Sequence, residues 1–389
     1  MCSSDLGINT VPTQLLTWVK KRVAGHPFFA RELVRALRET QAVSIRDGRI
    51  EVGNLDSLSL PMTVEGIISS RLNQLTAPQQ LTLKVAAVVG RVFSEQTVRD
   101  THPLPEADVA KHLETFTHHS IITPHDANTR DTYAFRHVLL RDVTYDQMPR
   151  NQRRTLHRAV AAWLERQHAD QLAPIASLLA FHWQRAEVPE SSLRWLEAAA
   201  EHALRSGTFA EAIANYQQAM STSLVAPALA SPRRKAHWTM GLGMAAYFLG
   251  DFQTSRLRLE EAVHELDRAV PISRRETLFA LLREAIQQAG NRLINRQRIA
   301  SGTSQLKDSI ATSECYRSLS QIYFLQGEPA ERLAYLTLRG LNVGERTGSS
   351  ATLARTLANM GALMSFLGLK AWGAWYGMRA DRKSTRLNS

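Results

Sequence analysis

The chain has 389 residues, of which 44% are hydrophobic and 21% charged, with a formal net charge of +11. Such a composition belongs to an ordinary foldable chain of two or three domains and excludes the disordered, collagen-like and disulfide-dense classes. Its basic excess is spread as single arginines over helix faces, the pattern of solvated surface.

The chain opens with MCSSDL and closes with DRKSTRLNS. The closing segment reads as the translation of DNA resembling a common short-read sequencing adapter. The opening one reads as the reverse complement of the same DNA, started at GTG. Residues 1–6 and 381–389 are therefore set aside as adapter scars, as a tag would be. Removing their three basic and two acidic residues leaves a net charge of +10. What lies between is expected to be a piece of a longer protein. Cys2 falls in the first scar, which leaves Cys315 as the native cysteine. A disulfide framework is thereby excluded, and a reducing cytoplasm is the expected setting.

Residues 10–39 read as a helix, a Gly25-His26-Pro27 turn and a second helix in which Phe29, Leu33 and Leu37 recur at i, i+4 and i+8. Pro27 stands where a first helical turn tolerates it. Such a stripe needs a core to bury it, and too few residues precede it to supply one. Exposed apolar surface is thus expected around Phe28, Phe29 and Leu33. VSIRDGRIEV, 43–52, alternates about Asp47-Gly48 as a short hairpin. Further on, helices are expected over 63–75, 78–89, 94–101, 106–117, 137–148 and 149–167, with Thr76 to Gln79 as a helix start. Residues 121–123 and 132–135 form a second hairpin, and helices followed by a small hairpin suggest a winged helix.

From about Leu172 onward the pattern is helical and repetitive. AEHALRSGTFAEAIANYQQAM carries the Gly-x-aromatic…Ala-x₃-aromatic rhythm of a tetratricopeptide repeat through Gly207, Phe209, Ala212, Tyr216 and Ala219. Looser copies follow around Gly250, Gly327 and Gly368, so the four glycines are spaced 43, 77 and 41 apart. The middle gap leaves room for a further unit. Stacked helix pairs of this kind leave a face free for partners. The apolar stretch 361–378 is interrupted by Lys370 and diluted by glycine, and reads as a helix pair rather than a membrane span.

Catalytic motifs are nearly absent. No Gly-Lys dipeptide occurs, so there is no P-loop in this piece, and HExxH, CxxC and GxSxG are missing as well. Gly241 to Ala246 fits the dinucleotide pattern GxGxxA, but no strand precedes it, and the repeat accounts for the same glycines. Histidines 102, 112, 118, 119 and 125 scatter without metal-ligand spacing. PRNQRRTLHR, 149–158, reads as the exposed face of a helix that buries Leu156, Val160 and Trp163. Two small motifs remain. The Gly25-His26-Pro27 turn opens a helix whose free amides suit a phosphate, and FRHVLLR places His137 at a helix start after a hairpin, where an imidazole can reach phosphate oxygens.

Taken together, GHPFFARELVRAL, LPMTVEGIISSRLNQL, VAAVVGRVF, YAFRHVLLRDVTYDQM and RRTLHRAVAAWLE resemble the STAND signal-transduction ATPases of the AAA+ class. Within that class they are most similar to bacterial proteins with a class III adenylate/guanylate cyclase domain before the ATPase and tetratricopeptide repeats after it. The resemblance covers almost all of 10–380. It implies that Gly25 and Pro27 sit in the helical lid beside bound nucleotide, and that His137 contacts the phosphates of ADP. The motif here is Phe-Arg-His, where the better-known form is Met-His-Asp. ATP or ADP is the implied cofactor, with Mg expected only alongside a P-loop core upstream of Gly7.

The chain is thus expected to be mainly α. A C-terminal lid part spans 7–57, a winged-helix-like domain with small β-hairpins and following helices spans 58–167, and an α-solenoid of TPR-like helix pairs spans 168–380. A protein or small-molecule effector is expected on the repeats, with a nucleotide-dependent oligomer allowed. Neither membrane nor nucleic acid is an expected partner of this piece. No catalytic or metal site is expected in it, and it should be inactive without the Walker motifs. The alternatives are a LuxR-like transcriptional regulator built on the same ATPase and a non-enzymatic TPR scaffold.

Overall fold

The computed structural model describes residues 12–23, 27–39, 42–46, 49–52, 63–126, 129–294, 303–348 and 350–385. Two compact units result, Met1–His168 and Ala169–Ser389.

The first unit begins with α1 (Thr13–Val23) and α2 (Pro27–Glu39). Leu15, Val19 and Val23 of α1 form their own i, i+4, i+8 stripe and pack with Phe29, Leu33 and Leu37. Phe29 and Leu33 are 5% and 1% exposed, so the exposed surface expected at these two residues is overturned. The short preceding segment carries a matching stripe, and that suffices. The Phe28 side chain lies outside the described residues. Strands β1 (Val43–Arg46) and β2 (Arg49–Val52) pair antiparallel, with Val43 opposite Val52. The turn residues Asp47 and Gly48 lie outside the described set.

Helices α3 (Val64–Leu72) and α4 (Ala77–Val89) follow. The Gln79 side chain accepts the Thr76 amide at 3.0 Å, closing the start of α4 as the sequence suggests. Next come β3 (Val92–Ser94), α5 (Glu95–Thr101), α6 (Val109–His118), β4 (Ile122–Asp126), β5 (Thr129–Phe135), α7 (Val138–Asp146) and α8 (Arg150–Gln167). The sheet order is β3-β5-β4, with both pairings antiparallel. The sequence reading contains the β4–β5 hairpin but not β3. Three residues are too few for an alternation signal, and β3 exists because Phe93 lies opposite Tyr133 on the central strand.

The second unit is a helical solenoid: α9 (Ala176–Arg185), α10 (Pro189–Ser206), α11 (Phe209–Val225), α12 (Pro232–Phe248), α13 (Phe252–Leu266), α14 (Arg274–Ile294), α15 (Thr303–Leu325), α16 (Ala330–Glu345), α17 (Ser350–Phe366) and α18 (Lys370–Thr385). Gly207, Gly250, Gly327 and Gly368 stand between α10 and α11, α12 and α13, α15 and α16, and α17 and α18. They adopt φ of 81°, 81°, 70° and 78°. This left-handed conformation reverses the chain in each pair, and glycine adopts it without the Cβ penalty. The repeat glycines read from sequence are these four. Gly368 also divides the apolar stretch 361–378, and among the described residues no helix is long and apolar enough to cross a membrane. Helix α18 continues beyond Ala380 through Asp381 to Thr385.

The gap of 77 residues holds no further pair among the described residues. Between the pairs α12–α13 and α15–α16 lies α14, which packs on α16, while α13 packs directly against α15 and keeps the solenoid continuous. The orientation of α14 is unusual. Thr277, Glu284 and Gln288 are buried, whereas Phe279, Ile286 and Leu282 are 75%, 65% and 58% exposed. Gly241 and Gly243 of α12 lie under packed side chains. A Cβ on Gly241 would fall 2.2 Å from the Tyr216 ring, and one on Gly243 2.8 Å from Leu259. Close helix packing therefore explains the GxGxxA pattern.

Candidate functional site

In the first unit, Pro27 opens α2, and Gly25 lies outside the described residues. His137 is the N-cap of α7, and its Nδ1 accepts the Leu139 amide at 3.3 Å. That bond serves the helix start that the FRH motif marks. Helix α3 packs both on α2 and on α7, so the helices headed by Pro27 and His137 share one neighbour. The α2–α3 contact is reinforced by a buried ion pair, in which Arg71 Nη1 donates to Glu32 Oε2 at 2.6 Å and both side chains are at most 6% exposed. Removing one member of such a pair strands a buried charge, so separating the two helices is costly.

The scattered histidines resolve into local structure. Thr82 Oγ1 lies 3.2 Å from His102 Nε2 and 2.7 Å from His112 Nδ1, and it donates to the Pro78 carbonyl at 3.1 Å. With that hydroxyl hydrogen engaged, both rings donate to Thr82. Burial pushes the pKa of His102 down, opposed by its bond to the Leu104 backbone and aided by His112. Burial also lowers that of His112, against the attraction of Asp108.

The second unit contains a groove between α15 and α17 that no sequence motif announced. Its polar half, about 470 Å³, is lined by Arg317, Gln321, Arg355 and Asn359, with Ala358 and Ala362. Its apolar half, about 370 Å³, adds Tyr247, Phe324, Leu325, Leu363 and Phe366. Glu314 braces the polar end from behind: Arg317 Nε and Arg355 Nη1 each donate to its carboxylate at 2.7 Å. Burial would raise the Glu314 pKa, but the two guanidinium groups overcome it and hold the carboxyl below its usual range. Arg317 and Tyr247 Oη further donate to Gln321 Oε1 at 3.1 and 2.8 Å, and Asn359 Nδ2 donates to Ser320 Oγ at 2.8 Å. At the other end Phe324 and Phe366 meet edge to face, with centroids 5.2 Å apart. These residues are spaced along two helices as Arg317, Gln321, Phe324 and as Arg355, Asn359, Phe366. Only their juxtaposition makes a site, which is why periodicity alone did not reveal it.

Helix α14 is held on α16 by a buried charge network. Arg339, 1% exposed, donates to Asp267 at 2.9 and 2.6 Å and to Glu284 at 3.0 Å. Asn342 Nδ2 donates to Glu284 Oε2 at 3.0 Å, and Tyr316 Oη to Asp267 Oδ2 at 3.0 Å. Burial opposes charge on Asp267, yet the Arg339 hydrogen bonds hold its carboxyl below the usual range. Among the described residues no group of three His, Cys, Asp or Glu is placed to hold a metal ion.

Residues 1–51 match the model of a domain of unknown function, DUF8739. No curated protein matches the chain. Solved structures similar to it include these two. BtubC (BKLC) from P. vanneervenii is 17% identical, with 60% of this chain and 80% of that one covered at a TM-score of 0.38. A signal transduction ATPase with numerous domains (STAND) protein with a tetratricopeptide repeat sensor, from Pyrococcus horikoshii, is 11% identical at a TM-score of 0.28. That alignment covers 97% of this chain and spans 60% of the length of the Pyrococcus protein. Likenesses of this depth carry no functional argument.

Proposed function

We propose that the chain is the sensing and relay portion of a STAND-class signal-transduction ATPase working in the cytoplasm. The repeats of the second unit receive an effector, and the first unit passes that event to a nucleotide-bearing core encoded upstream. One observation carries the reading. The order helix, strand, helix, helix, strand, strand in α4 to β5, with sheet order β3-β5-β4, supports the winged-helix reading, and α3 packs on both α7 and α2.

Gly25 and Pro27 then stand at the lid side of ATP or ADP, and His137 is the phosphate sensor. Mg would be held with the phosphates by the P-loop core, and the output is a nucleotide cyclase. The α2–α3 contact, closed by the buried Glu32–Arg71 pair, suits a relay, because a two-state switch needs elements that move as bodies. The chain itself, without a Gly-Lys dipeptide, is expected to show no ATP hydrolysis above background in a phosphate-release assay.

The test is long-read sequencing across the locus. A GxxxxGK[ST] motif in frame upstream of Gly7, followed by winged helix and repeats, is the expected result. An upstream frame with no P-loop would overturn the ATPase reading and leave a repeat scaffold. In protein expressed from the longer frame, His137→Ala should speed release of bound ADP, and an unchanged rate would remove His137 from the sensor.

A further inference from the structure

The groove between α15 and α17 is graded in chemistry from end to end. Arg317 and Arg355 stand at one end, Gln321 and Asn359 in the middle, and the aromatic pair Phe324 and Phe366 at the other. Among the described residues no acidic side chain lines either half. Glu314 braces the two arginines from behind and neutralises one positive charge, leaving a net positive end. Arg317 is held, with Nε on Glu314 and its other nitrogens near Gln321 and Ser318. Arg355 directs one Nη1 to Glu314 and remains 64% exposed. At the aromatic end Phe324 is 52% and Phe366 59% exposed, an amount of apolar surface that favours a covering ligand.

We infer that this groove binds an extended protein segment in which an Asp or Glu precedes or follows a bulky apolar residue by three to five positions. The inference rests on the reading that the second unit receives an effector, and it names that effector's chemistry. The spacing follows from helix geometry. Arg317 to Phe324 and Arg355 to Phe366 are seven and eleven residues apart, or roughly 10 and 16 Å at 1.5 Å per residue. An extended strand covers those distances in about three to five residues at about 3.3 Å each. The acid completes the Arg355 guanidinium through charge-assisted hydrogen bonds. Gln321 Nε2 and Asn359 Oδ1, the amide atoms not engaged by Arg317, Tyr247 and Ser320, offer a donor and an acceptor to a bound backbone, and the apolar residue covers Phe324 and Phe366.

A random-peptide phage library selected on the full-length chain, with the enriched clones sequenced, tests this. The expected result is enrichment of peptides with Asp or Glu three to five positions from Leu, Phe or Met. Synthetic fluorescein-labelled copies should lose about tenfold in affinity on Arg355→Gln, which keeps an amide toward Glu314. They should weaken similarly on Phe366→Ala and bind unchanged to Phe279→Ser on α14. Enriched peptides without an acid, with an acid at helical spacing of seven or more, or insensitive to Arg355→Gln would overturn the inference while leaving the second unit a binder. No enrichment, or peptides insensitive to Phe366→Ala, would overturn both the inference and the groove as effector site.

Discussion

In the paired helices of the second unit the large buried side chains are mostly apolar, as with Leu193, Leu196 and Ala200 in α10 or Leu319, Ile322 and Tyr323 in α15, and α16, which buries Arg339 and Asn342, is the exception. In α14 they are Thr277, Glu284 and Gln288, while Leu278, Phe279, Leu282 and Ile286 meet solvent. The two arrangements share one helical period and differ in what they pack against. Across a glycine turn a paired helix meets mostly apolar side chains, whereas α14 meets the face of α16 that carries Arg339 and Asn342. A buried guanidinium is costly unless it is fully paired, so the helix that supplies its second carboxylate turns that face inward. An apolar stripe therefore locates a helix, but it identifies the buried face only where the neighbour is apolar too.

The largest way to break this comparison is Arg339→Ala. It takes the closest cation from Asp267 and Glu284, leaving Glu284 only the longer 3.5 Å contacts of Arg268 and Arg283, and should cost about 3 kcal/mol, read as a lower denaturation midpoint with faster amide exchange along α14. A cost below about 1 kcal/mol would mean that the network does not hold α14. Next comes Gly241→Ala in the apolar type of pair. Alanine is the better helix former, yet its Cβ would meet the buried Tyr216 ring, so a loss of about 1–3 kcal/mol is expected by denaturant titration. A gain in stability would show that the ring yields.

A smaller effect is expected on acidification. The folded pKa values of His102 and His112 lie below their ordinary 6.5, so below that pH the unfolded chain binds more protons than the folded one. The contribution of neutral His102 and His112 is complete above pH 6.5 and is lost as pH falls through 6.5 toward the folded values. Asp108 attracts and Lys111 repels the charge on His112, and neither reverses the sign. Denaturation midpoints at pH 7 and pH 5 should diverge in the native chain and diverge less in His102→Asn, where the His112 part remains. Equal divergence in both would remove His102 as the cause. The smallest effect sharpens the contrast within one helix: Phe279→Ser, on the exposed face of α14, should change stability by no more than about 0.5 kcal/mol. A large loss in thermal denaturation would show that this face is covered in solution.

Much of the architecture was legible in the sequence, because local rules decide it. Each repeat glycine marks a left-handed turn that other residues resist, and Thr76 with Gln79 marks a helix start by its own side chains. The burial of Phe29 and Leu33 was not foreseen because Leu15, Val19 and Val23 were not weighed as a facing stripe. Strand β3 depends wholly on its partner, and α14 depends on a cation that lies 55 residues away in sequence. The groove is least legible of all, since Arg317 and Arg355 become neighbours only through Glu314.

The most direct test of the second unit's role is hydrogen–deuterium exchange on the full chain, with and without an acidic, apolar peptide selected on it. The account predicts slower exchange over 314–325 and 355–366, with 278–286 unchanged. Protection confined to 278–286 would contradict it and assign partner binding to the apolar face of α14.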